Sequence, residues 1–271
     1  MRRGLGGLGI LLPLVIGGII AFSVWCGAEE QEVPVTGREQ RVAISEEEQE
    51  DLGEQAYADV LNQQASAVVE SGPEVEAVQE IGARIVEALG DDDPGFEWEF
   101  TVVDSPEPNA FCLPGGKVVV YTGIIDVAGD EDRLATVMAH EIAHAIAQHG
   151  AERMLQQQLT QIAQTSIAAS LASQDPATRG AILSLFGAGA QYGVLLPFSR
   201  DHESEADRIG LIYMARAGYD PRAAVEFWEL MAEASGGQAP PEYASTHPSS
   251  ETRIRQIEEW MEEALEEYEE S

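Results

Sequence analysis

Residues 140–144 read His-Glu-Ile-Ala-His, inside an apolar-periodic stretch running from about Leu134 to Leu155. The periodicity predicts a helix, and residues four apart on a helix project from one face, a turn apart. Two imidazoles so placed can each offer a ring nitrogen to a single Zn²⁺ at roughly 2.0–2.1 Å. Glu141 follows the first of them, where its carboxylate can stand beside the metal and take a proton from water held there. A helix that merely happens to carry two histidines and a glutamate is the plain alternative. Against it, the chain has only 5 His, and His140, His144 and His149 fall close together.

A catalytic zinc site ordinarily takes three protein ligands and keeps one position open, so a third ligand has to come from elsewhere. The segment Ser199-Arg200-Asp201-His202-Glu203-Ser204-Glu205-Ala206-Asp207-Arg208 opens a second helical pattern that runs to about Ala217. Glu203 and Asp207 are i,i+4 and share a face, whereas Glu205 points roughly 200° away from Glu203. The shared face lets Glu203 bind metal while Asp207, a turn on, accepts the second N–H of a ligand histidine. In so acidic a chain, a solvated helix face is the competing explanation.

Taken together, HEIAH, the later SRDHESEADRIG block, and Thr246-His247-Pro248 followed by Arg253 resemble the CAAX-prenyl-protease/HtpX-like zinc metallopeptidases, most of all their periplasmic, BepA-like branch. Pro34-Val35-Thr36-Gly37-Arg38 and Asn109-Ala110-Phe111-Cys112-Leu113-Pro114-Gly115-Gly116 add to the resemblance, which spans roughly residues 34–260. It implies a zincin-like domain with one Zn²⁺ per chain, held by His140, His144 and Glu203, the first Glu of the ExxAD block. It also implies a place for His247 near the metal, as a hydrogen-bond donor to the transition state or as a reversible fourth ligand that occludes the site. Cys112 departs from the small apolar residue that the resemblance leads one to expect.

The chemistry implied is peptide hydrolysis, with zinc polarising the scissile carbonyl and Glu141 moving a proton from water to the leaving amine. His247 is the candidate oxyanion donor, and Tyr243 in the same Gly/Pro-rich loop is a weaker one. His149 lies five residues past His144, which on a straight helix turns it off the metal face and leaves it a helix-end or packing residue. His202 adjoins Glu203 but points about 100° away and has no assigned role.

Phe96–Val103 alternates and Lys117–Tyr121 carries a β-branched run, so both read as strands. Between them Asn109, Ala110 and Phe111 fit a short edge strand closed by the Pro114-Gly115-Gly116 turn. A sheet edge beside a metal cleft can take an extended peptide by strand addition, reading backbone more than side chains, and this makes Asn109, Ala110 and Phe111 candidate substrate-binding residues. A plain structural hairpin is the alternative. Elsewhere the chain reads as helical: Ser45 with Glu48 is a capping box for a helix to about Val69, Pro73–Leu89 is a second helix, and one continues from the metal motif to Leu171. Asp220-Pro221 opens another that ends before Gly236-Gly237, and the Glu-rich end from Glu258 to Glu270 is an amphipathic terminal helix. Ala181–Phe198 carries no charge, and is expected to be a buried helix, with a lid or a membrane-dipping segment as the alternative.

The fold class expected is therefore α+β, predominantly α-helical with a small β-sheet. Residues 1–28 are expected to be a membrane anchor or signal segment, 29–44 a linker, and 45–271 the metallopeptidase domain. Leu5 to Trp25 is without charge and just long enough to cross a ~30 Å hydrocarbon core. Arg2 and Arg3 ahead of it orient the body of the chain away from the cytoplasm. An anchor is favoured over a cleaved signal, and both export the domain to the extracytoplasmic side of the envelope. With 48 Asp+Glu against 15 Lys+Arg and a formal charge of −33, nucleic acid and anionic lipid surfaces are poor partners. The function expected is a zinc endopeptidase acting on misfolded or unassembled envelope proteins. Its rival is a chaperone-like scaffold that binds unfolded outer-membrane proteins and seldom cleaves them.

Overall fold

Val118–Val120 forms the middle of an inner strand, buried on both faces, in a four-stranded sheet. This computed structural model describes residues 6–234, 247 and 251–271. In chain order the elements are α1 (Gly6–Gly27), β1 (Glu29–Glu32), β2 (Glu39–Val42), α2 (Glu46–Gln63), β3 (Val68–Val69), α3 (Pro73–Leu89), β4 (Glu99–Val103), β5 (Ala110–Leu113) and β6 (Lys117–Tyr121). Then come α4 (Thr122–Ala128), α5 (Glu131–Ile146), α6 (His149–Ser170), α7 (Pro176–Ala190), a π-helical turn at Gln191–Leu195, α8 (Leu196–Arg216), α9 (Ala223–Ala234) and α10 (Glu251–Glu270). Helix dominates over small sheets, so the α+β class stands.

The chain divides into two units, one of residues 1–32, 39–45 and 150–201, the other of residues 33–38, 46–149 and 202–271. In the second unit the sheet order is β3-β4-β6-β5, with β4 and β6 parallel and the other pairs antiparallel. β6 sends Val118 and Val120 into a core shared with α3, α5, α8, α9 and α10, while Val119 and Tyr121 meet Tyr57 and Val60 of α2 on the opposite face. That two-faced burial explains why its sequence is a continuous apolar run and not an alternating one. β5 is an edge strand, as its short sequence suggested.

Local sequence sets how α5 and α8 meet. Asp130 caps α5 by accepting the Arg133 N–H at 2.9 Å. At Gly210 of α8 a Cβ would lie 3.0 Å from the carbonyl carbon of Ala139, so glycine permits the close crossing beside His140. α5 stops at Ile146, and Gln148 takes a positive φ of 50°. The helix expected to run on to Leu171 is therefore two helices, because a left-handed residue cannot continue a right-handed ladder. α2 likewise ends at Gln63, short of the expected Val69, and Val68–Val69 pairs with β4 instead.

In the first unit β1 and β2 form an antiparallel pair, within residues whose composition suggested only a linker. α1 touches α6 there: a Cβ on Gly17 would fall 1.8 Å from Ser166 Oγ. No residue of α7 is buried, and Leu185 and Tyr192 are 76% and 72% exposed. The expectation of a buried helix over 181–198 is corrected accordingly. A run without charge marks an apolar surrounding, and the protein's own core is only one such surrounding.

Candidate metal centre

α5 presents His140, Glu141 and His144, and the middle of α8 presents Glu203, Glu205 and Asp207. The sequence-based choice among the three acids agrees with helix geometry: Glu203 and Asp207 face α5, and Glu205 turns elsewhere. His140 Nε2 lies 3.1 Å from His144 Nε2 and 3.4 Å from Glu203 Oε2, and His144 Nε2 lies 3.4 Å from Glu203 Oε1. His247 joins them, its Nδ1 at 2.7 Å from Glu203 Oε2 and 3.1 Å from His140 Nε2. One donor atom from each of these four residues lies within 4.8 Å of every other.

This donor set suits a small tetrahedral cation. Donors about 2.1 Å from a tetrahedral zinc stand about 3.4 Å apart, close to the separations seen here. Glu141 supports the same conclusion. Its Oε1 is buried without a hydrogen-bond partner among the described residues, 3.6 Å from His247 Nε2. A buried carboxylate oxygen that accepts no hydrogen bond is costly and points to a group that meets it during function.

The supports of the two helix histidines differ. His140 Nδ1 lies 3.0 Å from Asp207 Oδ1, and Asp207 in turn accepts from Arg253 Nη2 at 2.6 Å. The Arg253 guanidinium also stacks 3.5 Å over the Trp228 ring, a cation–π contact that fixes its plane. Arg253 belongs to the stretch that carried the family resemblance, yet sequence reasoning gave it no role. His144 has its Nδ1 2.8 Å from His149 Nδ1. The break at Gln148 swings His149 back onto His144, contrary to the straight-helix expectation that it faces away. His202, unassigned from sequence, stacks on His149 at 4.1 Å between centroids and 13° between planes.

Burial and mutual hydrogen bonding together set the charges of the cluster. Burial opposes ionisation of Glu203, but hydrogen bonds from His140, His144 and His247 outweigh it and hold the carboxyl far below its usual range. Burial likewise opposes charge on His140, yet bonding to Asp207 and Glu203 lifts its pKa to about 9. His144 is pushed down to about 3, chiefly by burial, so its ring is neutral and ready to donate a lone pair. The Cys112 thiol is pushed well up by burial and next by the Glu141 charge, which sets β5 beside the cluster and keeps the thiol protonated. β5 also packs against α5. Asn109 and Ala110 are buried and Phe111 is half-buried, packed on the side of the sheet away from α5. Tyr243 lies outside the described residues.

Comparison with known proteins points the same way. The profile of peptidase family M48 matches residues 74–261. The mitochondrial metalloendopeptidase OMA1 of Schizosaccharomyces pombe is 40% identical over 235 residues, which is 86% of this chain and 66% of that protein. OMA1 of Saccharomyces cerevisiae is 32% identical over 282 residues, 96% of this chain and 76% of the relative. The beta-barrel assembly-enhancing protease of Escherichia coli is 36% identical over 183 residues, 65% of this chain and 37% of its own length.

Proposed function

The chain belongs to peptidase family M48, and from that membership we propose that it is a zinc-dependent endopeptidase acting on extended or unfolded polypeptides. His140, His144 and Glu203 would hold the metal, with Asp207 orienting His140. A bound zinc supplies a Lewis acid that polarises the scissile carbonyl and brings the pKa of water toward ~7. Glu141 takes the proton from the attacking water and passes it to the leaving amine. The observation that carries this reading is the buried Glu141 Oε1, without a hydrogen-bond partner among the described residues, beside the cluster of His140, His144, Glu203 and His247.

His247 has two uses in this scheme. With its Nδ1 against Glu203 and His140 it would serve as a fourth ligand that keeps the site latent. Swung away, it offers an N–H to the oxyanion. Substrate lies along β5. The bond from Tyr121 N–H to Asn109 C=O, with Ala110 opposite Val120, makes Asn109 and Phe111 the residues bonded to β6. In an antiparallel pair the alternate residues, Ala110 and Cys112, then turn their backbone groups outward, where an added strand would meet them. This sharpens the expectation that named Asn109, Ala110 and Phe111.

Membrane association is part of the proposal. α1 is apolar with exposed Leu, Ile and Phe side chains, and Pro176–Arg216 contains a window apolar enough to enter a bilayer and wholly unburied. We place the metal centre on the extracytoplasmic side, where misfolded or unassembled envelope proteins are the natural substrates.

The chaperone-like alternative is favoured by one observation, the seating of His247 against the cluster. Incubation with a permanently unfolded polypeptide, such as reduced and alkylated casein, separates the two. Internal cuts tolerant of sequence, mapped by mass spectrometry, support the peptidase. Suppressed aggregation with no cut at any zinc concentration would leave the scaffold.

A further inference from the structure

Both helix histidines face the cluster through Nε2, so each carries its proton on Nδ1 when bound to a metal and needs an acceptor there. His140 has Asp207. We propose that His149 and Glu205, tied down by Thr36 and Arg38, are the positioning residues that do the same for His144. This inference rests on the metal-centre reading above and extends it to residues outside the motif.

The direction of every bond is forced. His144 turns its Nε2 lone pair toward the metal, so its Nδ1–H donates to His149 Nδ1 at 2.8 Å. His149 then accepts on Nδ1 and must keep its proton on Nε2, which donates to Glu205 Oε2 at 3.0 Å. Glu205, an acceptor only, also takes the Thr36 hydroxyl at 2.6 Å on Oε1 and the Arg38 guanidinium at 2.8 Å on Oε2. Nowhere along the chain do two donors or two acceptors meet. The other neutral tautomer of His149 would set its Nδ1–H against that of His144 and withdraw the proton that Nε2 offers to Glu205.

The same geometry explains features that the motif leaves idle. Gln148 adopts its positive φ at the residue that turns His149 onto His144, and backbone strain of that kind persists where the surroundings hold it. His202 stacks on the His149 ring and fixes its plane. Glu205 alternates with Glu203 and Asp207 along α8, so three acids two apart serve three duties: ligand, support of His144 and support of His140. Thr36 and Arg38, lying 169 and 167 residues from Glu205, bring the N-terminal segment into the metal centre.

The test compares zinc affinity, by competition with a chromophoric chelator, in wild type, His149→Phe, Glu205→Gln and the double variant. Phe keeps the stacking surface on His202 and removes the acceptor. The relay predicts a roughly 10–100-fold loss of Zn²⁺ affinity in His149→Phe, together with a shifted visible band in the Co²⁺-substituted protein. Glu205→Gln should lose less, and the double variant no more than His149→Phe alone, because both break one chain. If His149→Phe fails to fold, Glu205→Gln and Thr36→Val carry the same comparison. Unchanged zinc affinity and cobalt spectrum in a folded His149→Phe, with only its metal-free melting temperature lowered, would overturn the relay and leave packing. Losses that multiply in the double variant would overturn it too. A wild type that binds no zinc, or a His144→Ala that binds it equally well, would overturn the metal-centre reading itself.

Discussion

Glu203, Glu205 and Asp207 sit two residues apart and meet three different sets of partners. That Glu203 and Asp207 share a face while Glu205 does not was legible from 3.6-residue periodicity alone. What Glu205 meets was not, because its partners Thr36 and Arg38 come from the far end of the chain. His149 departs from the straight-helix expectation for a different reason: the positive φ at Gln148 is held by packing, including the 2.8 Å bond from Gln49 Nε2 to the Gln148 side chain, and no local signal announces it. These buried rings also make stability depend on pH. Burial, first, holds both His144 and His149 down to about 3 in the fold, against an ordinary value of 6.5. Below 6.5 the unfolded chain therefore binds protons that the folded one refuses until near 3. The share of metal-free stability that rests on these two rings is complete above pH 6.5 and falls as pH drops from 6.5 toward 3, whereas the share from His140, raised to about 9, is complete below 6.5 and fades as pH rises toward 9. Chemical denaturation across that window should show the fall in wild type and a shallower one in His149→Phe; equal slopes would contradict it.

At the scale of elements, β5 joins the fold to the proposed substrate. Its existence and edge position could be read from its shortness and the glycine turn after it. The parallel pairing of β4 with β6 could not, since nothing local says that the intervening strand moves to the outside. Residues with outward backbone groups and residues bonded to β6 should respond differently to proline, which removes one N–H. Cys112→Pro should leave the melting temperature near wild type and raise KM for an unfolded polypeptide roughly 2- to 12-fold, the worth of one backbone hydrogen bond. Phe111→Pro should destabilise the fold, since its N–H bonds across to β6. Cys112→Ala should change neither quantity, because the thiol is held protonated and has no part in the chemistry. A silent Cys112→Pro would remove strand addition from the account.

For the molecule as a whole, charge and its absence divide the labour. A chain of formal charge −33 holds no charged residue from 154 to 174, or from 180 to 199. Those stretches lie in one unit with α1, and hydroxyls on α6 bond back to their own helix, Thr160 to Gln156 C=O, Ser166 to Ile162 C=O and Ser170 to Ser166 C=O. Self-satisfied hydroxyls suit a helix without water around it. The sequence offered both a buried helix and a membrane-dipping one for 181–198, and exposure decides against the first. A chain lacking residues 1–28 should still float with neutral phosphatidylcholine vesicles, and Leu185→Asp with Tyr192→Asp should abolish that. A shortened chain that stays wholly at the bottom of the gradient would confine lipid contact to α1. The central claim, a zinc peptidase whose base is Glu141, meets its most direct test in one comparison. Wild type and Glu141→Gln, each assayed for zinc content, are given the same unfolded polypeptide. One zinc per chain is expected in both, with a turnover about 10²- to 10⁴-fold lower in the variant. Equal turnover in both, or cleavage by wild type freed of metal, would contradict it.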